Sequence, residues 1–253
     1  MIPIKDDNPQ INIPYATYCL IFLNIISWLV VQNLGSGNQY EESICKFGLI
    51  PYSLIYEKTL STCLELNQLG YLSILSSMFL HGGWMHILGN LLFLWVFGGN
   101  VEDTMGSLRF IFFYILAGIT AAVAQIITNI ESIVPMIGAS GAIGGVMGAY
   151  LILFPKVRVH ILVPLFIIFW TFRVPAFAML GYWIILQIFD GLNSFGSNGG
   201  GIAFWAHIGG FLFGAITINL FKDNELLHGH PYYGWKQQKN SSSIWENSNN
   251  KQK

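Results

Sequence analysis

Apolar residues gather in long runs separated by shorter polar stretches. A helix that crosses a bilayer needs about 20 mostly apolar residues. Six runs meet or approach that length: residues 15–31, 84–101, 108–128, 138–154, 176–189 and 202–221, the fifth somewhat short. Two other apolar stretches are not read as spans. Residues 71–80 are too few, and residues 160–170 contain Pro164 and run into Arg173 and Pro175. Both are expected to lie in the membrane interface, the first within a long loop joining spans one and two. The pattern predicts an all-α polytopic membrane protein with six transmembrane helices and a long first external loop. It divides into a cytoplasmic segment over 1–14, a membrane domain over 15–221 and a polar tail over 222–253.

Composition agrees with bilayer as the solvent. Of 253 residues, 53% are hydrophobic and 10% are charged, against about 25% charged in a typical soluble domain. There is no basic patch, and the aromatics lie in apolar runs, so no nucleic-acid partner is expected. The cysteines Cys19, Cys45 and Cys63 match no zinc or redox spacing, and neither a metal nor another cofactor is expected. Cys45 and Cys63 share the first loop, where pairing would require an oxidising compartment.

Positive charge orients the spans. With the N-terminus inside, cytoplasmic segments hold Lys5, Arg109, Lys156, Arg158, Arg173 and Lys222, whereas external loops hold only Lys46 and Lys58. Both termini are therefore expected in the cytoplasm, with the protein multi-pass in the cell membrane. Asp6 and Asp7 stand ahead of the first run and no small-residue cleavage pattern follows it, so that run is expected to remain a span. Residues 228–253 are rich in Asn, Gln, Ser and Lys, the composition of a mobile tail.

Polar groups inside spans are costly and usually functional. The conspicuous ones are His86 and Asn90 in span two, Ser140 in span four, Gln187 in span five and His207 in span six. Spans two, four and six run in the same direction. At 1.5 Å per residue, His86, Asn90, Ser140 and His207 fall within on the order of 10 Å of the outer edge. Gly141, Gly145 and Gly144, Gly148 in span four, with Ala206, Gly210 and Gly214 in span six, recur every four residues. Such spacing lets helix backbones approach closely in lipid, which would bring Ser140 to His207. Taken alone, each feature also fits plain packing, and Gln187 is assigned to packing. It is the shared depth that favours chemistry.

Three motifs carry a resemblance. His81-Gly-Gly-Trp-Met-His86-Ile-Leu-Gly-Asn90, Gly138-Ala139-Ser140-Gly141 and Ala206-His207-Ile208-Gly209-Gly210 resemble, in order, the His/Asn, GxSG and catalytic-histidine motifs of the rhomboid intramembrane proteases. FGLIP at 47–51, GGNVED at 98–103 and VPAFAMLGYWIILQ at 174–187 also look like prokaryotic members. The resemblance implies a six-helix core with Ser140 as nucleophile and His207 as base. His86 and Asn90 would stabilise the oxyanion, and Gly138 and Gly141 would support the site's backbone. Implied substrates are single-span membrane proteins, cut within or near the bilayer. Two departures stand out: the first loop lacks the Trp-Arg pair of some members, and Gly144 stands where some place an aromatic four residues after the nucleophile.

No acidic residue shares the depth of His207, so a Ser–His dyad is expected rather than a triad. The glycine-rich stretch 193–201 adjoins span six, where a lid and an ordinary connector fit equally. A non-catalytic rhomboid-like protein that binds transmembrane clients is the competing reading, although it need not keep both Ser140 and His207. A channel or proton-coupled transporter would favour mid-membrane acids or paired broken helices, and the sequence has neither.

Overall fold

The computed structural model describes residues 2–56, 62–165, 168–194 and 203–233. After strand β1 (Ile2–Asp6) comes α1 (Tyr15–Ile26), which continues through a π-turn to Val31. The first loop carries the short helices α2 (Gly37–Phe47), α3 (Pro51–Ile55), α4 (Thr62–Leu66) and α5 (Ser73–Ser76). Next come α6 (Trp84–Asp103), α7 (Ser107–Thr128) and α8 (Ser140–Leu153). Strands β2 (Arg158–Leu165) and β3 (Ile168–Pro175) precede α9 (Ala176–Asn193), α10 (Phe204–Phe221) and α11 (Asn224–Gly229). The fold is a polytopic helical membrane bundle with an apolar helix at each expected span. Four of these, α6, α7, α9 and α10, are long and apolar enough to cross a bilayer by themselves.

Helix α8 is shorter than its apolar run. Its 14 residues rise about 21 Å, less than the roughly 30 Å hydrocarbon thickness. It is also the centre of the bundle, with every residue from Gly141 to Tyr150 buried. Small residues make this possible. A Cβ on Gly210 or Gly214 of α10 would collide with the Gly141 or Gly145 carbonyl, and one on Gly148 with the Phe211 carbonyl. On the other side, Gly141 and Gly145 abut Ala121 and Ala117 of α7. Close approach of this kind replaces the hydrophobic drive that lipid cannot supply between helices.

One end of the bundle is built on satisfied charge. Helix α6 runs past its expected end to include Glu102 and Asp103, both buried. Glu102 accepts from the Ala16 and Thr17 amides at 3.0 and 2.8 Å, and from the Thr17 and Ser107 hydroxyls at 2.8 and 2.5 Å. Asp103 accepts from the Ile11 and Asn12 amides at 2.8 and 3.0 Å. The Glu102 carboxylate thus meets the unpaired amides and positive dipole at the start of α1.

The described residues of 160–170, expected as an interfacial connection and not as a span, lie in an antiparallel hairpin of β2 and β3, and β1 completes a three-stranded sheet. Val159 and Ile161 alternate inward to the core, while Arg158 faces out. β-Branched residues at period two explain the strand. Asp7 receives His160 Nε2 at 2.6 Å, and that bond holds the Asp7 carboxyl below the usual carboxylate range.

The expected mobile tail differs over its first turns. Asp223 caps α11 through the Glu225 amide at 2.9 Å and pairs with Arg109 at 3.2 Å. Leu227 and His230 are buried, His230 against Phe154, and the Tyr233 hydroxyl donates to the Leu153 carbonyl at 2.6 Å. Leu227, Tyr232 and Tyr233, within a polar stretch, supply the apolar surface that docks it against the core. The rest of the tail, the 195–201 part of the lid-or-connector stretch and Lys58 lie outside the described residues.

Candidate active site

At the opposite end, the first loop builds the approach to α8. Cys45 and Cys63 are disulfide-bonded. Asn67 donates to the Cys45 and Gly48 carbonyls, both at 2.8 Å. Leu49 pairs with Met136 in an antiparallel bridge, and the Gly138 amide donates to the Ser77 carbonyl at 2.9 Å. The loop therefore fixes the segment that delivers Ser140. Gly138 has φ +131°, a conformation that L side chains rarely adopt. It turns the chain into α8, whose first residue is Ser140. The Ser140 amide is consequently one of the helix's unpaired N-terminal donors.

His207 sits on the first turn of α10, whose start is tied to α7 by Gln125 Oε1, the acceptor of the Ala206 amide at 3.2 Å. Its Nε2 lies 2.8 Å from Ser140 Oγ, and its Nδ1 lies 2.6 Å from Gln187 Oε1. The Trp183 ring lies against the imidazole at 5.8 Å between centroids, tilted by 37°. Gly144 takes no part in covering that ring: a Cβ there would already be 3.0 Å from the His207 carbonyl. The two backbones touch at that point, and α9 supplies the aromatic from outside.

His86 is held with a defined tautomer. The Gly82 amide donates to its Nδ1 at 3.1 Å, so the proton of the neutral ring is on Nε2. That nitrogen lies 2.8 Å from the point where a side chain on Gly138 would begin, and Ser140 Oγ lies 3.4 Å from the same point. His86 Nε2–H is thus a donor aimed beside Ser140. Asn90 stands one turn further along α6; it is buried, and its amide nitrogen has no hydrogen-bond partner among the described residues. His81 packs edge-on against His86 at 5.2 Å, and its backbone exchanges two hydrogen bonds with the Gln32 amide. It staples the loop to Gln32, just past the π-turn that ends α1.

The structure therefore brings Ser140, His207, His86 and Gly138 together, with Asn90 one turn from His86 on α6. Gly141 acts through packing, since a Cβ there would run into Ala121. Gln187, assigned to packing from the sequence, touches the imidazole instead, and Trp183 was not singled out at all. Their signal was present: an aromatic and an amide four residues apart share one face of an otherwise lipid-facing helix. A cavity of about 20 Å³ opens between Met78, Gly118, Gly138, Ser140 and Ala142. It has room for about one water or a methyl group.

The Rhomboid domain family profile matches residues 68–223, more than half of the chain. "Rhomboid protease GluP" of Bacillus subtilis is 34% identical over 138 residues, covering 54% of this chain and 24% of that protein. "Rhomboid protein 1, mitochondrial" of Saccharomyces cerevisiae is 28% identical over 151 residues, 57% of this chain and 40% of the relative. "Putative rhomboid protease YdcA" of Bacillus subtilis is 33% identical over 78 residues, 31% of this chain and 39% of the relative. In each case the match spans less than half of the relative's length.

Proposed function

The chain belongs to the rhomboid family, and on that footing we propose that it is an intramembrane serine endopeptidase that cuts transmembrane segments of other membrane proteins. The observation that carries the reading is the 2.8 Å contact between Ser140 Oγ and His207 Nε2. It joins the starts of two helices whose backbones are in glycine-lined contact.

A serine hydroxyl is a weak nucleophile until a base removes its proton. Ser140 Oγ attacks the peptide carbonyl carbon as His207 Nε2 takes the proton. The carbonyl π electrons move to oxygen and form the oxyanion. Three donors surround that position: the Ser140 amide at the start of α8, His86 Nε2–H and the Asn90 amide. Collapse of the intermediate breaks the C–N bond, and His207 returns the proton to the leaving amine. Water, deprotonated by the same imidazole, then releases the acyl group from Ser140.

Two features bear on the substrate. The bare Gly138 backbone beside Ser140 leaves room for a second backbone, and a helix must locally unwind to present its carbonyl there. The cavity of about 20 Å³ next to Ser140 leaves little closed space beside the hydroxyl. The proposed orientation places this end outside, with both termini in the cytoplasm of a cell whose membrane carries the protein. It rests on Lys5, Arg109, Lys156, Arg158, Arg173 and Lys222 lying towards the other end.

Reconstitution with a single-span test substrate examines the reading directly. Ser140→Ala is expected to reduce cleavage by at least about 1000-fold. Cleavage unchanged in Ser140→Ala removes Ser140 from the mechanism. A wild-type protein that binds the substrate but never cuts it supports client binding without catalysis.

A further inference from the structure

For Nε2 of His207 to receive the Ser140 proton, the neutral ring must carry its own proton on Nδ1. That N–H faces α9 in a partly buried contact, where a donor left unpaired costs stability. Two hydrogen bonds of the ring are seen, one to Ser140 and one to Gln187 Oε1, the latter at 2.6 Å. Gln187 stands on α9 between Leu186 and Ile188, both exposed on the bundle's apolar outer surface. An amide in such a run serves no packing purpose that a leucine would not serve better. It is also a neutral acceptor, which avoids placing a carboxylate against lipid. Trp183, one turn earlier on the same face, lies against the imidazole plane and restricts its rotation.

We propose that Gln187 is a positioning residue for the base: its Oε1 accepts the His207 Nδ1–H and holds the tautomer whose Nε2 is free to take the Ser140 proton. The role rests on the protease reading, with Gln187 doing through a neutral amide what a buried acid does in a three-membered site. It touches neither the nucleophile nor the scissile bond.

The test compares full-length wild type, Gln187→Leu and Gln187→Glu in detergent or liposomes. Turnover of a single-span test substrate and the rate of fluorophosphonate labelling at Ser140 report chemistry. Nitrogen NMR of labelled histidine reports which ring nitrogen carries the proton. Gln187→Leu is expected to lower kcat and the labelling rate by roughly 10- to 100-fold with KM changed less than about twofold. Its His207 ring is expected to populate both tautomers. Gln187→Glu keeps an acceptor of the same length and is expected to recover to within about tenfold of wild type. The proposal is overturned if Gln187→Leu keeps the wild-type rate, or if it slows while the ring stays in the wild-type tautomer. It is overturned equally if Gln187→Glu is as slow as Gln187→Leu. A wild type that neither cleaves nor labels at Ser140 sinks the protease reading instead, and the tautomer comparison still decides whether Gln187 orients the ring.

Discussion

The carboxylates at one end of the bundle and the donors beside Ser140 at the other meet different surroundings. At the end closed by Glu102 and Asp103, the carboxylates meet backbone amides and hydroxyls, six hydrogen bonds between the two residues. At the Ser140 end, the Asn90 amide nitrogen has no partner among the described residues, and His86 Nε2 lies 2.8 Å from where a side chain on Gly138 would begin. Burial of an unpaired donor costs stability. A satisfied buried charge anchors structure; under the proposed function, a donor beside Ser140 is held for a group that arrives later. On that reading the contrast separates architecture from chemistry.

Substitutions at the two ends should therefore separate stability from turnover. The largest effect is expected for Glu102→Ala, which strands the amides at the start of α1 and should cost roughly 3–5 kcal/mol of stability. Thermal unfolding in detergent measures that loss, while the Ser140 labelling rate well below the transition should stay as in wild type. The comparison breaks if labelling slows in a protein of unchanged stability. Next in size, Asn90→Ala should lower kcat by about 100- to 1000-fold while changing the unfolding temperature little, because its amide nitrogen has no partner among the described residues. Loss of stability with normal turnover would place Asn90 with the structural set.

The smallest effect concerns Asp6, where the Glu102 end itself is imperfect. Burial pushes this carboxyl from 3.8 up to about 6, against the opposing hydrogen bond from the Tyr150 hydroxyl. A carboxyl with a raised folded value favours its protonated form, so its contribution is present at acid pH and is lost as pH rises through about 6. Asp6→Asn should gain roughly 1–2 kcal/mol at neutral pH and flatten the stability profile between about pH 4 and 6. Unfolding curves across that range check it, and an unchanged slope would show that Asp6 is not the group titrating there.

The spans were legible because hydropathy over a bilayer's width is a local property, and the site was legible because His86, Ser140 and His207 each interrupt an apolar run near its start. What escaped depended on partners distant in the chain. The 160–170 stretch holds Pro164, which reads as a break, yet its strand pairs with Ile2–Asp6. Leu227 and Tyr233 are diluted by polar neighbours and gain meaning only beneath Leu153 and Phe154. Gln187 looked like packing because nothing in α9 itself says that its amide meets an imidazole from α10. The packing under His207 was similarly hidden: Gly144 signals what is missing there, not that Trp183 of another helix replaces it.

The central claim is that His207 activates Ser140, and covalent capture tests it most directly. A fluorophosphonate applied to the purified protein, with the modified residue located by mass spectrometry, should label Ser140 in wild type and leave His207→Ala essentially unlabelled. A label carried on another residue, or Ser140 modified at an undiminished rate in His207→Ala, would contradict the account.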